Sequence, residues 1–226
     1  MWSDNVIMTE LSVVIPAHNE AENLRPLVAE VHSALAGMCE YEVIIADDAS
    51  TDTTPTVIAE LAKQNNRVCL VRHLHQSGQS SAVVTGIKHA KGEWIATLDG
   101  DGQNDPADIA KFWKKMKEQP DGHHPIFAGW RNKRRDTWVK IISSKIANKV
   151  RAAMLGDATP DSGCGIKLFK REDFMRLPHF NHMHRFLPAL FRRLGREVVS
   201  IPVNHRPRLK GRSHYGVVNR LWIGIV

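Results

Sequence analysis

Five short apolar runs, rich in β-branched residues, recur through the first half of the chain at residues 11–15, 41–46, 68–72, 94–98 and 126–128. Between them, residues 20–36, 55–64 and 80–89 carry apolar positions at the three-to-four spacing of a half-buried helix. Thr54-Pro55 reads as a cap followed by a first-turn proline, and Asp105-Pro106 repeats that signal for a helix through Lys117. Gly92 reads as the stop of the third helix. This alternation predicts βαβ units: an α/β fold with a Rossmann-like, mainly parallel sheet flanked by helices. The second half is less regular. It predicts a basic amphipathic helix over 140–154, a Gly-rich turn over 161–165, a helix over 185–194, a strand over 198–203 and a basic, polar tail over 204–215.

Ligands of open α/β sheets bind beyond the carboxyl ends of the strands, so the loops after Ile15, Ala46, Arg72 and Leu98 are the places to inspect. All four are polar. Asp99, Asp101 and Gln103 directly follow the fourth strand, and alternate residues of an extended segment point the same way. Three hard oxygen donors suit Mg²⁺ or Mn²⁺ bridging a diphosphate; an Asp-Gly turn with solvated carboxylates fits the same residues equally well. The loop after the first strand offers Pro16, His18 and Glu20 for a stacked base, and the loop after the second offers Asp47 and Asp48 for base or ribose donors. The plainer alternatives are a loop histidine at His18 and a helix-start support at Asp52.

Composition narrows the field. A chain of 226 residues accommodates one α/β domain plus a tail, expected here as residues 1–203 and 204–226. Hydrophobic content of 42% and charged content of 24% argue against disorder and against a polytopic membrane protein. The net charge of +7 is concentrated in the second half and predicts anionic partners. Nucleic acid is not the expected one, because no aromatic residues interleave with the charges as a stacking platform requires. Three widely spaced cysteines suggest neither a disulfide framework nor a zinc site, and the histidines lack helical i, i+4 pairing. No 18-residue apolar run occurs, yet residues 221–226 are apolar, which fits the start of a membrane-associated segment. In the helix predicted over 140–154, Ile142, Ile146, Val150 and Met154 recur beside Lys145 and Lys149. That stripe suits either an anionic membrane surface or an ordinary core contact.

Three motifs in order, V-V-I-P-x-x-N-E-x-x-N-L at 13–24, D-D-x-S-x-D-x-T at 47–54 and D-x-D-x-Q-x-x-P at 99–106, resemble glycosyltransferase family 2. Gly129-Trp130-Arg131, the run D-S-G-C-G-I-K-L-F-K-R at 161–171, and R-x-x-G-x-S-x-Y at 208–215 resemble its polyprenyl-phosphate branch, which includes dolichyl-phosphate mannose synthases and bacterial undecaprenyl-phosphate sugar transferases. The resemblance implies a GT-A fold and inverting transfer of a sugar from a nucleoside diphosphate sugar, UDP favoured over GDP, to a polyprenyl phosphate. It also implies work at the cytoplasmic face of the inner membrane, with residues 11–130 as the nucleotide-sugar half and 131–203 as the acceptor half.

Carried over by position, Pro16, His18, Glu20, Asp48 and Asp99 fall where the family binds the nucleotide, and Asp99, Asp101 and Gln103 where it holds Mg²⁺ or Mn²⁺. Arg131, Arg206, Arg208, Arg212 and Ser213 fall where it engages phosphates. Asp101, Asp161 and Arg131 are the catalytic candidates, Asp161 either as a base or as the residue that positions Arg131. The sequence departs from the family at His18, where a tyrosine is usual, and at His214, where a lysine is usual. A saccharide acceptor in envelope polysaccharide or lipopolysaccharide synthesis is the rival reading, and a homo-oligomer is left open.

Overall fold

The computed structural model describes residues 8–131 and 159–207. In chain order the elements are β1 (Leu11–Ala17), α1 (Ala21–Leu35), β2 (Tyr41–Asp47), α2 (Thr54–Gln64), β3 (Val68–Arg72), α3 (Gln79–His89), β4 (Trp94–Thr97), α4 (Ala107–Lys117) and β5 (Ile126–Trp130). After the undescribed stretch come β6 (Lys167–Lys170), α5 (Arg171–Met175), a 3-10 turn (Met183–Arg185), α6 (Leu187–Arg193) and β7 (Val198–Pro202). The strands form one sheet in the order β3-β2-β1-β4-β6-β5-β7. β1, β2, β3 and β4 are parallel, β6 runs antiparallel to both β4 and β5, and β7 pairs parallel with β5.

β1, β2 and β4 are apolar on both faces because both faces are covered. Leu11, Val13 and Ile15 of β1 point into the layer containing α1, Ile58 of α2 and α4, whereas Val14 between them points into the layer of α3, α5 and α6. β2 repeats the division, with Val43 and Ile45 on one side and Ile44 on the other. Strand order reverses at β1, whose neighbours β2 and β4 lead away in opposite directions, so the loops after β1 and β4 open a crevice between them. They approach closely: a Cβ on Gly100 would stand 2.9 Å from the Pro16 carbonyl oxygen.

The structure departs from the sequence reading in four places. β6 and α5 were not anticipated, because four residues of mixed character become a strand only by pairing with β4 and β5 together. The helix expected over 185–194 is split into the 3-10 turn and α6, with Pro188 in the first turn of α6 where a missing N–H is harmless. Gly92 does not cap α3, which closes at Ala90; a Cβ at Gly92 would meet the Ser12 nitrogen at 2.6 Å. Thr54 lies inside α2 rather than capping it: its N–H donates to Asp52 Oδ1 at 2.9 Å, and its hydroxyl accepts from Glu20 N–H at 2.9 Å. The helix expected over 140–154 and the tail from Arg208 onward lie outside the described residues. Among the described residues, no helix is long and apolar enough to cross a membrane.

Candidate active site

A cavity of about 690 Å³ opens at the carboxyl ends of β1, β2 and β4, a volume within the usual range for small-molecule sites. Pro16, His18, Glu20 and Asp48 line it from the first two strand ends, and Asp99, Asp101 and Gln103 from the fourth. Arg131, Lys167, His184, Arg185 and His205 border the same space. Asp161 stands behind Arg131. Arg206 is not among the lining residues, and Arg208, Arg212 and Ser213 lie outside the described residues.

The loops after β1 and β2 are knitted together by Asn19, whose side-chain oxygen accepts from the Thr51 N–H at 2.8 Å while its own N–H donates to Ser50 Oγ at 2.9 Å. Asn19 and Ala49 both adopt positive φ, at 57° and 55°. His18 lies 2.8 Å from the Asp48 carbonyl through Nδ1. A carbonyl only accepts, so Nδ1 carries a proton and is the donor. Glu20 accepts from the Asn23 amide at 2.6 Å. Asp48 is held on both oxygens: Oδ1 accepts from Ser77 N–H at 2.7 Å and lies 2.8 Å from His73 Nδ1, and Oδ2 accepts from Gly78 N–H at 2.8 Å. Gly78 has φ of 88°, a conformation glycine adopts without strain, and so turns two successive N–H groups onto one carboxylate.

Asp99 is the most perturbed acid of the site. Burial, then repulsion from Asp101, pushes its carboxyl up to about 6, against the opposing pull of Lys167, Arg131 and the Gln79 amide, which donates to Oδ1 at 2.9 Å. Gly165 packs so tightly on this carboxylate that a Cβ there would collide with Oδ2. Asp101 Oδ1 accepts from the Gln103 N–H at 3.0 Å and so curls the acidic turn. Among the described residues, no three His, Cys, Asp or Glu side chains converge as a ready-made metal cage. Two neighbouring carboxylates that repel each other nevertheless suit a hard divalent cation whose remaining positions are filled by phosphate and water. The Gln103 side chain contributes less to that set, because its amide nitrogen faces the Arg206 carbonyl at 3.5 Å.

The opposite border is cationic. Arg131 forms a two-point pair with Asp161, Nε to Oδ2 at 2.6 Å and Nη2 to Oδ1 at 2.8 Å. Burial alone would depress the guanidinium, but the Asp161 carboxylate outweighs it and holds the charge in place. Lys167 is only 3% exposed, donates to the Cys164 carbonyl, and is shifted downward chiefly by burial. His184 is pushed down to about 3, first by burial and then by Lys167 and Arg185, so its ring stays neutral.

Arg206 has a different fate from the phosphate contact expected of it. Its guanidinium is divided between Glu30 at 2.6 Å and Asp105 at 2.8 Å, while its main-chain N–H donates to the Gln103 carbonyl at 2.9 Å. Asn204 adds bonds to Asp108 at 2.8 Å and Asp105 at 3.2 Å, and His205 bridges to Asn104. Residues 204–206 thus form a clamp across the acidic turn. The sequence reading also missed Gln79, Ser80, Lys167, His184 and Arg185. The polarity of the loop after β3 was the available signal for the first two; Lys167 sits in the strand that went unrecognised.

The cavity at the strand-order reversal is thus faced by an acidic turn on one side and by cations on the other. The glycosyl transferase family 2 model matches residues 12–177, and the chain belongs to that family. Over 218 residues it is 30% identical to the undecaprenyl-phosphate 4-deoxy-4-formamido-L-arabinose transferase of Edwardsiella ictaluri, a match covering 96% of this chain and 66% of that protein. The chain therefore spans slightly less than two thirds of that relative's length.

Two solved structures share the fold. Glucosyl-3-phosphoglycerate synthase from Mycobacterium tuberculosis, in complex with Mn²⁺, UDP-glucose and glycerol 3-phosphate, superposes with a TM-score of 0.64 at 20% identity, over 88% of this chain and 73% of that one. A mannosyltransferase from Pyrobaculum calidifontis, in complex with GDP-mannose and Mn²⁺, gives 0.62 at 20% identity, over 91% and 58%.

Proposed function

We propose that this protein transfers one sugar, with inversion, from a nucleoside diphosphate sugar to a polyprenyl phosphate, releasing the nucleoside diphosphate. The observation that carries the reading is the acidic turn Asp99-Gly100-Asp101, set at the strand-order reversal and facing the cations Arg131 and Lys167 across one cavity. The kinship with a transferase named for undecaprenyl phosphate supports the acceptor. Structural likeness extends to proteins holding UDP-glucose and GDP-mannose alike. UDP is our assignment by kinship with the bacterial branch, with an anionic membrane surface as the place of work.

In this reading, Pro16, His18, Glu20 and Asp48 form the nucleoside side. His18 is fixed by the Asp48 carbonyl and Asp48 by residues 77 and 78, so the base meets groups that need no reordering on binding. Asp99 and Asp101 would hold Mg²⁺ or Mn²⁺, which when bound offsets the charge on the departing diphosphate. Arg131 faces the reacting phosphates while Asp161 positions its guanidinium. This role for Asp161 is favoured over that of a base, because both its oxygens are engaged by Arg131 and a phosphate acceptor is already an anion at neutral pH. Rate acceleration then comes from alignment of the two anionic substrates and from charge compensation.

A thermal-shift screen of UDP, GDP and their sugars with Mn²⁺ tests the donor side, since a ligand that binds the folded state raises its melting temperature. Transfer of label from the stabilising nucleotide sugar to a short-chain polyprenyl phosphate tests the acceptor. Transfer to a free saccharide with none to the lipid phosphate would reverse the assignment in favour of the rival acceptor class.

A further inference from the structure

A nucleoside diphosphate sugar is a linear molecule, and the strand ends that line the cavity come in a linear order. Across the sheet, as β2-β1-β4-β6-β5, they offer Asp48, then Pro16, His18 and Glu20, then Asp99 and Asp101, then Lys167, and last Arg131. With the nucleoside at β2 and β1 and the diphosphate at β4, the transferred sugar falls over β6, between the leaving diphosphate and Arg131. β6 runs against its neighbours, so its first residue lies level with their carboxyl ends: Lys167 pairs with Thr97 on one side and with Ala128 on the other.

The segment that leads into Lys167 is tightly fixed. Thr97 Oγ1 donates to the Gly165 carbonyl at 2.6 Å, and Gly165 packs on Asp99 with no room for a Cβ. The Lys167 side chain is buried, lines the cavity and donates to the Cys164 carbonyl. An ammonium has three N–H groups; among the described residues, that carbonyl is the one hydrogen-bond acceptor it meets. Asp99 and Asp161 act on it through charge alone. The start of α3 closes the same space. Ser77 and Gly78 donate main-chain N–H groups to Asp48, Gln79 donates its amide to Asp99, and Ser80 Oγ pairs with His184 Nδ1 at 2.7 Å. Residues 77–80 thus tie the two borders together.

We propose that Lys167 is a specificity-determining residue for the transferred sugar, donating to a carboxyl or acyl oxygen on the edge of the ring that lies over β6. The inference rests on the reading of the cavity as a nucleotide-sugar site. A hydrogen bond from an ammonium strengthens with the negative charge on its acceptor, so a carboxylate or an amide carbonyl offsets the burial of Lys167 better than a hydroxyl does. The need for such a partner grows once Asp99 holds a divalent cation, because that carboxylate is then shared.

The experiment titrates the full chain and its K167M and K167R variants in Mn²⁺ with UDP, UDP-glucose, UDP-glucuronate and UDP-N-acetylglucosamine, and in parallel with GDP, GDP-mannose and GDP-mannuronate. Thermal melting is the fold control. The wild type is expected to bind a carboxyl- or acyl-bearing sugar roughly tenfold more tightly than its hydroxyl-only counterpart, and the arm that gains tells carboxyl from acyl. K167M should abolish that gain while changing affinity for the bare nucleoside diphosphate less than about twofold, and K167R should retain part of it. An equal loss of bare nucleotide and nucleotide sugar in K167M makes Lys167 a phosphate contact or a structural residue and overturns the inference. So does a wild type that gains nothing from a carboxyl or acyl group, a comparison that needs no variant to fold. If K167M weakens every sugar nucleotide alike and spares the bare nucleotide, the sugar contact stands and the preference falls. If the wild type binds no nucleotide at all, the nucleotide-sugar reading itself falls, and the inference with it.

Discussion

The acidic and the cationic borders of the cavity are built in different ways. Every carboxylate of the acidic border lies within a few residues of a parallel strand's end: Glu20 after β1, Asp48 after β2, Asp99 and Asp101 after β4. Strand geometry delivers these groups, and short loops hold them. The cationic border is assembled from partners far apart in sequence. Arg131 meets Asp161 across 30 positions, and His184 meets Ser80 across 104. Charge on one side follows from topology, whereas on the other it is rationed by tertiary pairing, which leaves some arginines facing the cavity and diverts others into clamps.

Breaking the acidic border should have the largest effect. Asp101→Ala is expected to lower transfer by about a hundredfold to a thousandfold, the usual scale for removing a group that stabilises the leaving charge. Asp101 accepts from the Gln103 N–H, so some loss of stability accompanies the loss of activity. Steady-state rates with the melting temperature measured in parallel check this, and normal turnover would remove the metal-holding role. Breaking the cationic border at Asp161→Ala should act on the fold as well. Arg131 would keep its charge at a site where its side chain is only 20% exposed, and a loss of about 2–4 kcal/mol in urea denaturation is expected.

Asp99 supplies the next test. Its carboxyl is raised to about 6 from an ordinary value of 3.8, so between those values the folded chain binds more protons than the unfolded one. Stability of the chelator-treated protein should therefore fall as pH rises from about 4 to about 6 and then level off. Asp99→Asn should flatten that slope and stabilise the metal-free protein above pH 6 by about 1–3 kcal/mol, at roughly 1.4 kcal/mol per pH unit, while removing activity. A steeper slope in the variant would show that Asp99 is not the strained acid. The smallest effect is expected at Arg206→Ala: about 1 kcal/mol of stability through the half-exposed clamp, with the acceptor KM unchanged. A selective rise in acceptor KM would return Arg206 to the phosphate-binding set.

The contrast also explains what could be read in advance. The β1, β2, β3 and β4 strands and the helices between them were legible because a sheet buried on both faces demands continuous apolar runs, and the chain supplies them at regular intervals. That Pro16, His18, Glu20, Asp48, Asp99 and Asp101 border one cavity was legible because they sit at strand ends, where such sheets open a crevice. The clamp at Arg206 was not legible, because an arginine in a basic segment looks the same whether it meets a substrate or a partly exposed pair of carboxylates. Ser80 and His184 escaped notice because a serine opening a helix and a histidine in a turn are each ordinary until the fold brings them to 2.7 Å.

By itself, then, the sequence determined the layer architecture, the family and the acidic border, since these follow from local periodicity and from motifs a few residues long. Tertiary structure alone decided which cations face the cavity, that Asp161 holds Arg131, and that residues 77–80 join the two borders. The physical reason is range. Periodicity and strand ends act within a dozen residues, but the free energy that fixes a buried charge comes from whichever partner the fold places within hydrogen-bonding distance, however distant along the chain.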